Sequence, residues 1–89
     1  MKPSERLRQL ADWCDQHGIT KDDVVDIGIS YSGTTAHVSK EAGERVLAGR
    51  TLDVGRSGFA NDYVGRVRVT FLAAAEQPPK TITIPEAAK

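Results

Sequence analysis

The chain has 89 residues, no formal net charge, 39% apolar residues and one cysteine. That length accommodates one domain with a thin core and leaves few residues for a deep, water-excluding catalytic cleft. Neutral charge excludes a global field drawing the protein to nucleic acid or an anionic membrane, and the lone Cys14 excludes an internal disulfide.

The first predicted element is a helix from Ser4 to His17. Leu7, Leu10, Ala11 and Cys14 recur at helical spacing and form one apolar stripe, with Trp13 at its border. Ser4 is the expected N-cap and Gly18 the residue just past the C-terminus. His17 then sits where the helix dipole favours a cation, and Cys14 on the buried side reads as a small hydrophobe. Thr20 and Asp23 have the spacing of a capping box and predict a single turn.

"VVDIGISY" alternates with period two and predicts a half-buried strand with Val25, Ile27, Ile29 and Tyr31 inward. "TAHVS" predicts a short return strand, and Ser39 caps a second helix that Gly49 stops. "RTLDVG" predicts a strand with Leu52 and Val54 inward. "VRVTFLA" predicts another, with Val67, Val69 and Phe71 inward and Arg66, Arg68 and Thr70 outward. Between them "GRSGFANDYVG", Gly55 to Gly65, reads as a long loop. Pro78 and Pro79 interrupt the chain before "TITI", which suits an edge strand.

The order α-β-β-α-β-β, with a further terminal strand, predicts an α+β fold: a mostly antiparallel sheet with helices packed on one face. Residues 1–77 form the expected domain and 78–89 a Pro-containing extension. "MKPSERLRQLADW" lacks the apolar centre of a secretory signal, and no apolar run approaches the ~20 residues that cross a bilayer. With an unpaired cysteine, a soluble protein of a reducing cytoplasm is expected.

Ser30, Ser32, Gly33 and Thr35 in "SYSGTT" resemble the phosphate-binding loop of the sugar isomerase domain, a family that binds and isomerises phosphosugars. The resemblance implies hydroxyls and backbone N–H groups gathered at a helix N-terminus around a phosphate. It covers about twelve residues and departs from the family in context. That fold needs several βαβ units of roughly 30 residues. Here Ala36-His37-Val38 alternates like a strand where the family's helix begins. A hairpin turn is the preferred reading.

His17, His37 and Cys14 stand at unrelated spacings, so neither a metal site nor a catalytic set is expected, and no cofactor is implied. From Val38 onward, "HVSKEAGERVLAGRTLDV" and "YVGRVRVTFLA" resemble small non-virion accessory proteins of actinobacterial phages, with Ser39, Ala48, Gly49, Arg50, Gly65 and Phe71 at the shared positions. The resemblance implies a non-enzymatic protein of the host bacterial cytoplasm that engages a host protein.

Arg66 and Arg68 are the expected centre of an exposed arginine face, joined by Arg45, Arg50 and Arg56 from neighbouring elements. Such a face suits an acidic protein partner, with nucleic acid as the alternative. The long loop is expected to carry part of the interface through Arg56, Phe59, Asp62 and Tyr63. A thin core and an unpaired edge strand also suit a homodimer.

Overall fold

A computed structural model describes residues 2–30, 33–74, 76 and 78–86. Helix α1 (Pro3–Gln16) is followed by strands β1 (Val24–Ser30) and β2 (Gly33–Val38), then by helix α2 (Lys40–Val46). Strands β3 (Thr51–Asp53), β4 (Phe59–Val64), β5 (Val67–Leu72) and β6 (Thr81–Thr83) complete the chain. The fold is the expected α+β type. β1, β2, β5 and β4 make a four-stranded sheet in that order, and β3 pairs with β6 in a two-stranded one. All pairings between strands are antiparallel except β2 with β5, the central pair, which the chain joins by crossing over through α2.

Local signals explain the helix ends. Pro3 occupies the first turn of α1 and Lys2 is the N-cap, without a side-chain cap, so Ser4 lies inside the helix and not at its start. Gly18 takes a left-handed φ of 65°, and the Ile19 N–H donates to the Cys14 carbonyl at 2.8 Å, closing the C-terminus. Ser39 caps α2 as expected, its Oγ accepting from the Ala42 N–H at 3.2 Å. The Thr20–Asp23 pair forms a hydrogen-bonded turn: the Thr20 N–H donates to Asp23 Oδ2 at 2.9 Å, and the Asp23 N–H to the Thr20 carbonyl at 3.0 Å.

Residues opposite one another in a ladder share a side of the sheet. On one side Ala36, Val38, Val67, Val69, Phe71 and Ala60 are all buried. They meet Leu10 and Trp13 of α1, Ala42 of α2, Leu47, Leu52 and Ile84. α2 approaches so closely that its Gly43 rests on the Phe71 ring, where a Cβ would overlap the ring carbons. Residues 78–86, expected as an extension, therefore contribute β6 and the buried Ile84 to this packing.

Two expected burial patterns differ from the structure. The buried stripe of α1 is centred on Leu10 and Trp13, while Leu7 and Ala11 are exposed. Trp13 supplies the reason: its indole N–H donates to the Val64 carbonyl at 2.9 Å, so the large ring lies under the sheet with its polar atom satisfied. In β1 the register slips between Val24 and Asp26. The bulge leaves Val25 unpaired and 62% exposed, while Ile27 keeps its place opposite buried Ala36 and is 47% exposed because β1 is the sheet's edge strand. Tyr31 lies outside the described residues.

Candidate functional site

The other side of the four-stranded sheet holds no buried residue. Gly28, Thr35, Arg68 and Tyr63 form one row across its strands, and Asp26, His37, Thr70 and Asn61 form the next. Phe59 and Leu72 stand opposite each other beyond them. Both helices pack on the buried side, so this face is open.

Its larger side chains are grouped. The His37 and Phe59 rings meet edge to face, with centroids 5.3 Å apart. Leu72 is 39% and Tyr63 60% exposed. Arg68 stands opposite Tyr63 and donates through Nε to Asn61 Oδ1 at 3.2 Å, which anchors its guanidinium on this face. Tyr63 with Arg68 at one end of this face and Phe59, Leu72 and His37 at the other, with the Asn61–Thr70 row crossing between, have the composition of a protein interface.

The segment expected as a loop accounts for this grouping. Phe59–Val64 is strand β4, and the hairpin to β5 turns through Gly65 and Arg66 alone, with Val64 paired to Val67. Gly65 has a φ of 64°, as a tight turn of this kind requires. Period two then sorts the expected interface residues. Phe59, Tyr63 and Arg68 share the open face, whereas Asp62 shares a side with the buried Val69. Arg66 belongs to the turn and not to the outward face of β5, and Arg56 is exposed in the turn before β4.

The arginine face is likewise divided. Arg45 is bound at 3.2 Å to Asp23 and also donates to the Gly18 carbonyl at 3.0 Å. Arg50 reaches the β4 edge, donating to Asp62 Oδ2 at 3.0 Å and to the Tyr63 carbonyl at 2.7 Å. Both aspartates are held below the usual carboxylate range. For Asp23 the main cause is the Thr20 N–H, and for Asp62 the Tyr63 N–H, with the arginines adding to each. Among the described residues, Arg56, Arg66 and Arg68 form no ion pair.

The sheet's two outer strands share a device that sequence reasoning missed. Asp26 Oδ1 accepts from the Ile27 N–H at 2.9 Å in β1, and Asp62 Oδ1 accepts from the Tyr63 N–H at 2.8 Å in β4. Arg6 also donates to the Ser30 carbonyl at the end of β1. Each edge thus has backbone groups occupied by the chain's own side chains, which blunts strand addition.

The hydroxyl motif forms a hairpin. Ser30 pairs with Gly33 and donates through Oγ to the Gly33 carbonyl at 3.2 Å, and β2 continues through Thr35 without a helix. Ser32 lies outside the described residues. Ser30, Gly33 and Thr35 share the open side of the sheet, but β2 runs on as a strand to Val38, so they do not form a helix-capped phosphate cradle.

Cys14 is half-buried against the core, and burial, with Asp15 beside it, raises its thiol pKa. Among the described residues no group of three potential metal ligands forms, and no helix is long and apolar enough to cross a membrane. Comparison with protein-family models, curated proteins and solved structures gave no match.

Proposed function

We propose that the chain is a non-enzymatic accessory module whose open sheet face docks an acidic protein of a bacterial host, in the host cytoplasm. The observation that carries this reading is Phe59, Tyr63, Leu72 and Arg68 together on the sheet face opposite both helices, where no described residue of the sheet is buried. Arg68 has no carboxylate partner among the described residues, and Arg56, exposed before β4, adds positive charge with no ion pair among them. That arrangement suits a partner presenting an apolar patch rimmed by Asp or Glu. The blunted edges favour docking on the face over strand addition. The resemblance of the second half of the chain to actinobacterial phage accessory proteins supplies the host setting.

A photo-crosslinking residue at position 63 tests the reading. It should capture a host protein in cells, and the same residue at position 8, on exposed α1, should not. Tyr63→Ala with Arg68→Ala should abolish the capture while changing unfolding free energy by about 0.5 kcal/mol or less per site, as exposed substitutions do. Capture of nucleic acid would instead favour a stacking platform, with bases on Tyr63 and the His37–Phe59 pair. Binding would then weaken with salt with a slope of only about −1 to −2, since one or two arginines would meet phosphates.

The β1 side supports a second contact, between copies of this chain. Val25, Ile27 and Leu7 are exposed apolar groups on or beside the free edge. Because the bulge and the Asp26 side chain occupy that edge, these side chains, and not a continuous ladder, would hold the dimer. Light scattering should give a dimer mass for the wild type and a monomer mass for Ile27→Lys. A monomeric wild type at high concentration excludes the dimer.

A further inference from the structure

On the buried side of the sheet, α1 does not close fully over the start of β2 and the β4–β5 turn. An open groove of about 380 Å³ remains there, floored by Leu10, Trp13 and Val67 and rimmed by Gln9, Thr34 and Arg66. A smaller hollow of about 170 Å³, between Arg6, Gly33 and the same Gln9, Thr34 and Arg66, adjoins it. We propose that the two together bind a small organic phosphate monoester, with the phosphate between Arg6 and Arg66 and an apolar or aromatic body along Leu10, Trp13 and Val67.

The charge layout assigns the phosphate end. Among the described residues, neither Arg6 nor Arg66 has a carboxylate partner, and Arg66 makes no hydrogen bond. Arg6 is positioned by one bond to the Ser30 carbonyl, which leaves its remaining N–H groups for a ligand. Two guanidinium groups, the Thr34 hydroxyl and the Gln9 amide suit an oxyanion with three oxygens and close to two charges better than a carboxylate. Gly33 carries no side chain, and a Cβ there would meet nothing within 4 Å, so the backbone beside the hollow is open to approach.

The opposite end has a different character. Asp12 and Gln16 line the larger groove but not the hollow, placing acceptors away from the arginines. A phosphate is repelled from that end and a hydroxyl or amine on the ligand body is favoured. The groove is of the size range of small-molecule sites, with an apolar floor and few converging polar groups. It uses Gly33 and Thr34 of the hydroxyl motif, but through arginine side chains in place of a helix N-terminus.

This site is separate from the protein-docking face. Thr34 and Val67 point to the helix side, whereas their neighbours Thr35 and Arg68 point to the open one. Failure of either proposal therefore leaves the other intact.

The test is an amide NMR titration of the intact chain with phenyl phosphate, inorganic phosphate and phenylacetate. Phenyl phosphate should give saturable shifts at Gly33, Thr34, the Gln9 and Gln16 side-chain amides and the Trp13 indole. Inorganic phosphate should bind more weakly and leave the indole unmoved, and phenylacetate should bind at least tenfold more weakly than phenyl phosphate. Arg66→Gln, in an exposed turn, should weaken phenyl phosphate at least tenfold with an unchanged melting temperature. Absent saturation, equal affinity for phenylacetate, or unchanged affinity in Arg66→Gln would each overturn the proposal.

Discussion

Phe71→Ala is expected to remove most of the stability of this domain. The ring is fully buried in β5, and its surroundings are built small to receive it: Ala60 opposite in β4, and Gly43 of α2 directly against the ring. Leu47, Val38 and Val69 are the other large side chains with almost no exposure. Phe71 therefore joins both sides of the packing at the point where α2 meets the sheet. Truncating such a residue costs about 3–5 kcal/mol, because the walls of the cavity do not collapse fully. A domain's whole stability is roughly 5–15 kcal/mol, and small domains lie toward the lower end. At about 4–8 °C per kcal/mol for a chain of this size, the melting temperature should fall by roughly 12–40 °C. Phe71→Leu should lose much less. Gly43→Ala should destabilise from the opposite direction, by about 1–3 kcal/mol, since the new methyl overlaps the ring and outweighs any gain in helix propensity. Thermal and urea unfolding followed by circular dichroism measure all three. A Phe71→Ala midpoint within a few degrees of wild type would show that the core lies elsewhere.

The elements that sequence reasoning recovered are those whose signal is local. β5 shows Val67, Val69 and Phe71 at period two, Ser39 stands directly before an amphipathic turn, and Gly18 ends a helix. What it missed depends on pairing. The alternation of Val25, Ile27 and Ile29 looks like a core strand, but a bulge changes the phase, and β1 lies at the sheet edge where α1 covers it incompletely. β4 was hidden by its composition, because Asn61 and Asp62 are poor strand formers and glycines bracket the segment. Its period-two pattern was nevertheless present: Phe59, Asn61 and Tyr63 alternate with Ala60, Asp62 and Val64.

That missed strand decides how much of the site was legible. As a loop, Gly55–Gly65 allows Arg56, Phe59, Asp62 and Tyr63 to form one patch. As a strand with a two-residue turn, it keeps Phe59 and Tyr63 with Arg68 and sends Asp62 to the other side and to Arg50. Phe59 then stands on the face away from the helices, against His37. The Arg6–Arg66 groove had no local signature. Residues 60 positions apart come together only because α1 folds back across the sheet.

Gly58→Ala should cause the other large loss of stability, and three glycines around β4 separate its causes. Gly55 lacks a positive φ, and a Cβ there would meet the Phe59 carbonyl oxygen at 3.7 Å, an ordinary contact. Gly55→Ala should therefore be close to neutral. Gly65 has a φ of 64° with nothing within 4 Å, so Gly65→Ala should cost only the left-handed conformation, about 1–2 kcal/mol, and Gly65→Asn less. Gly58 combines a φ of 90° with a collision that no rotamer change relieves, because a Cβ would overlap the backbone carbonyl of Ala74. The same carbonyl-bearing segment is tied to Gly58, whose own carbonyl accepts from the Ala73 and Ala74 N–H groups at 2.8 and 3.2 Å. Relieving the overlap pulls apart these bonds of the half-buried Ala73 and Ala74, and a donor left unsatisfied away from water costs about 1–3 kcal/mol. The end of β5 would then separate from the start of β4, where Phe59 and Leu72 pair on the open face. Urea unfolding should rank the variants Gly55→Ala, Gly65→Ala, Gly58→Ala from least to most destabilised, with Gly58→Ala lower than Gly65→Ala by at least about 1 kcal/mol. Equal losses at positions 58 and 65 would mean that backbone conformation alone matters and that the Ala74 contact does not hold the two strands together.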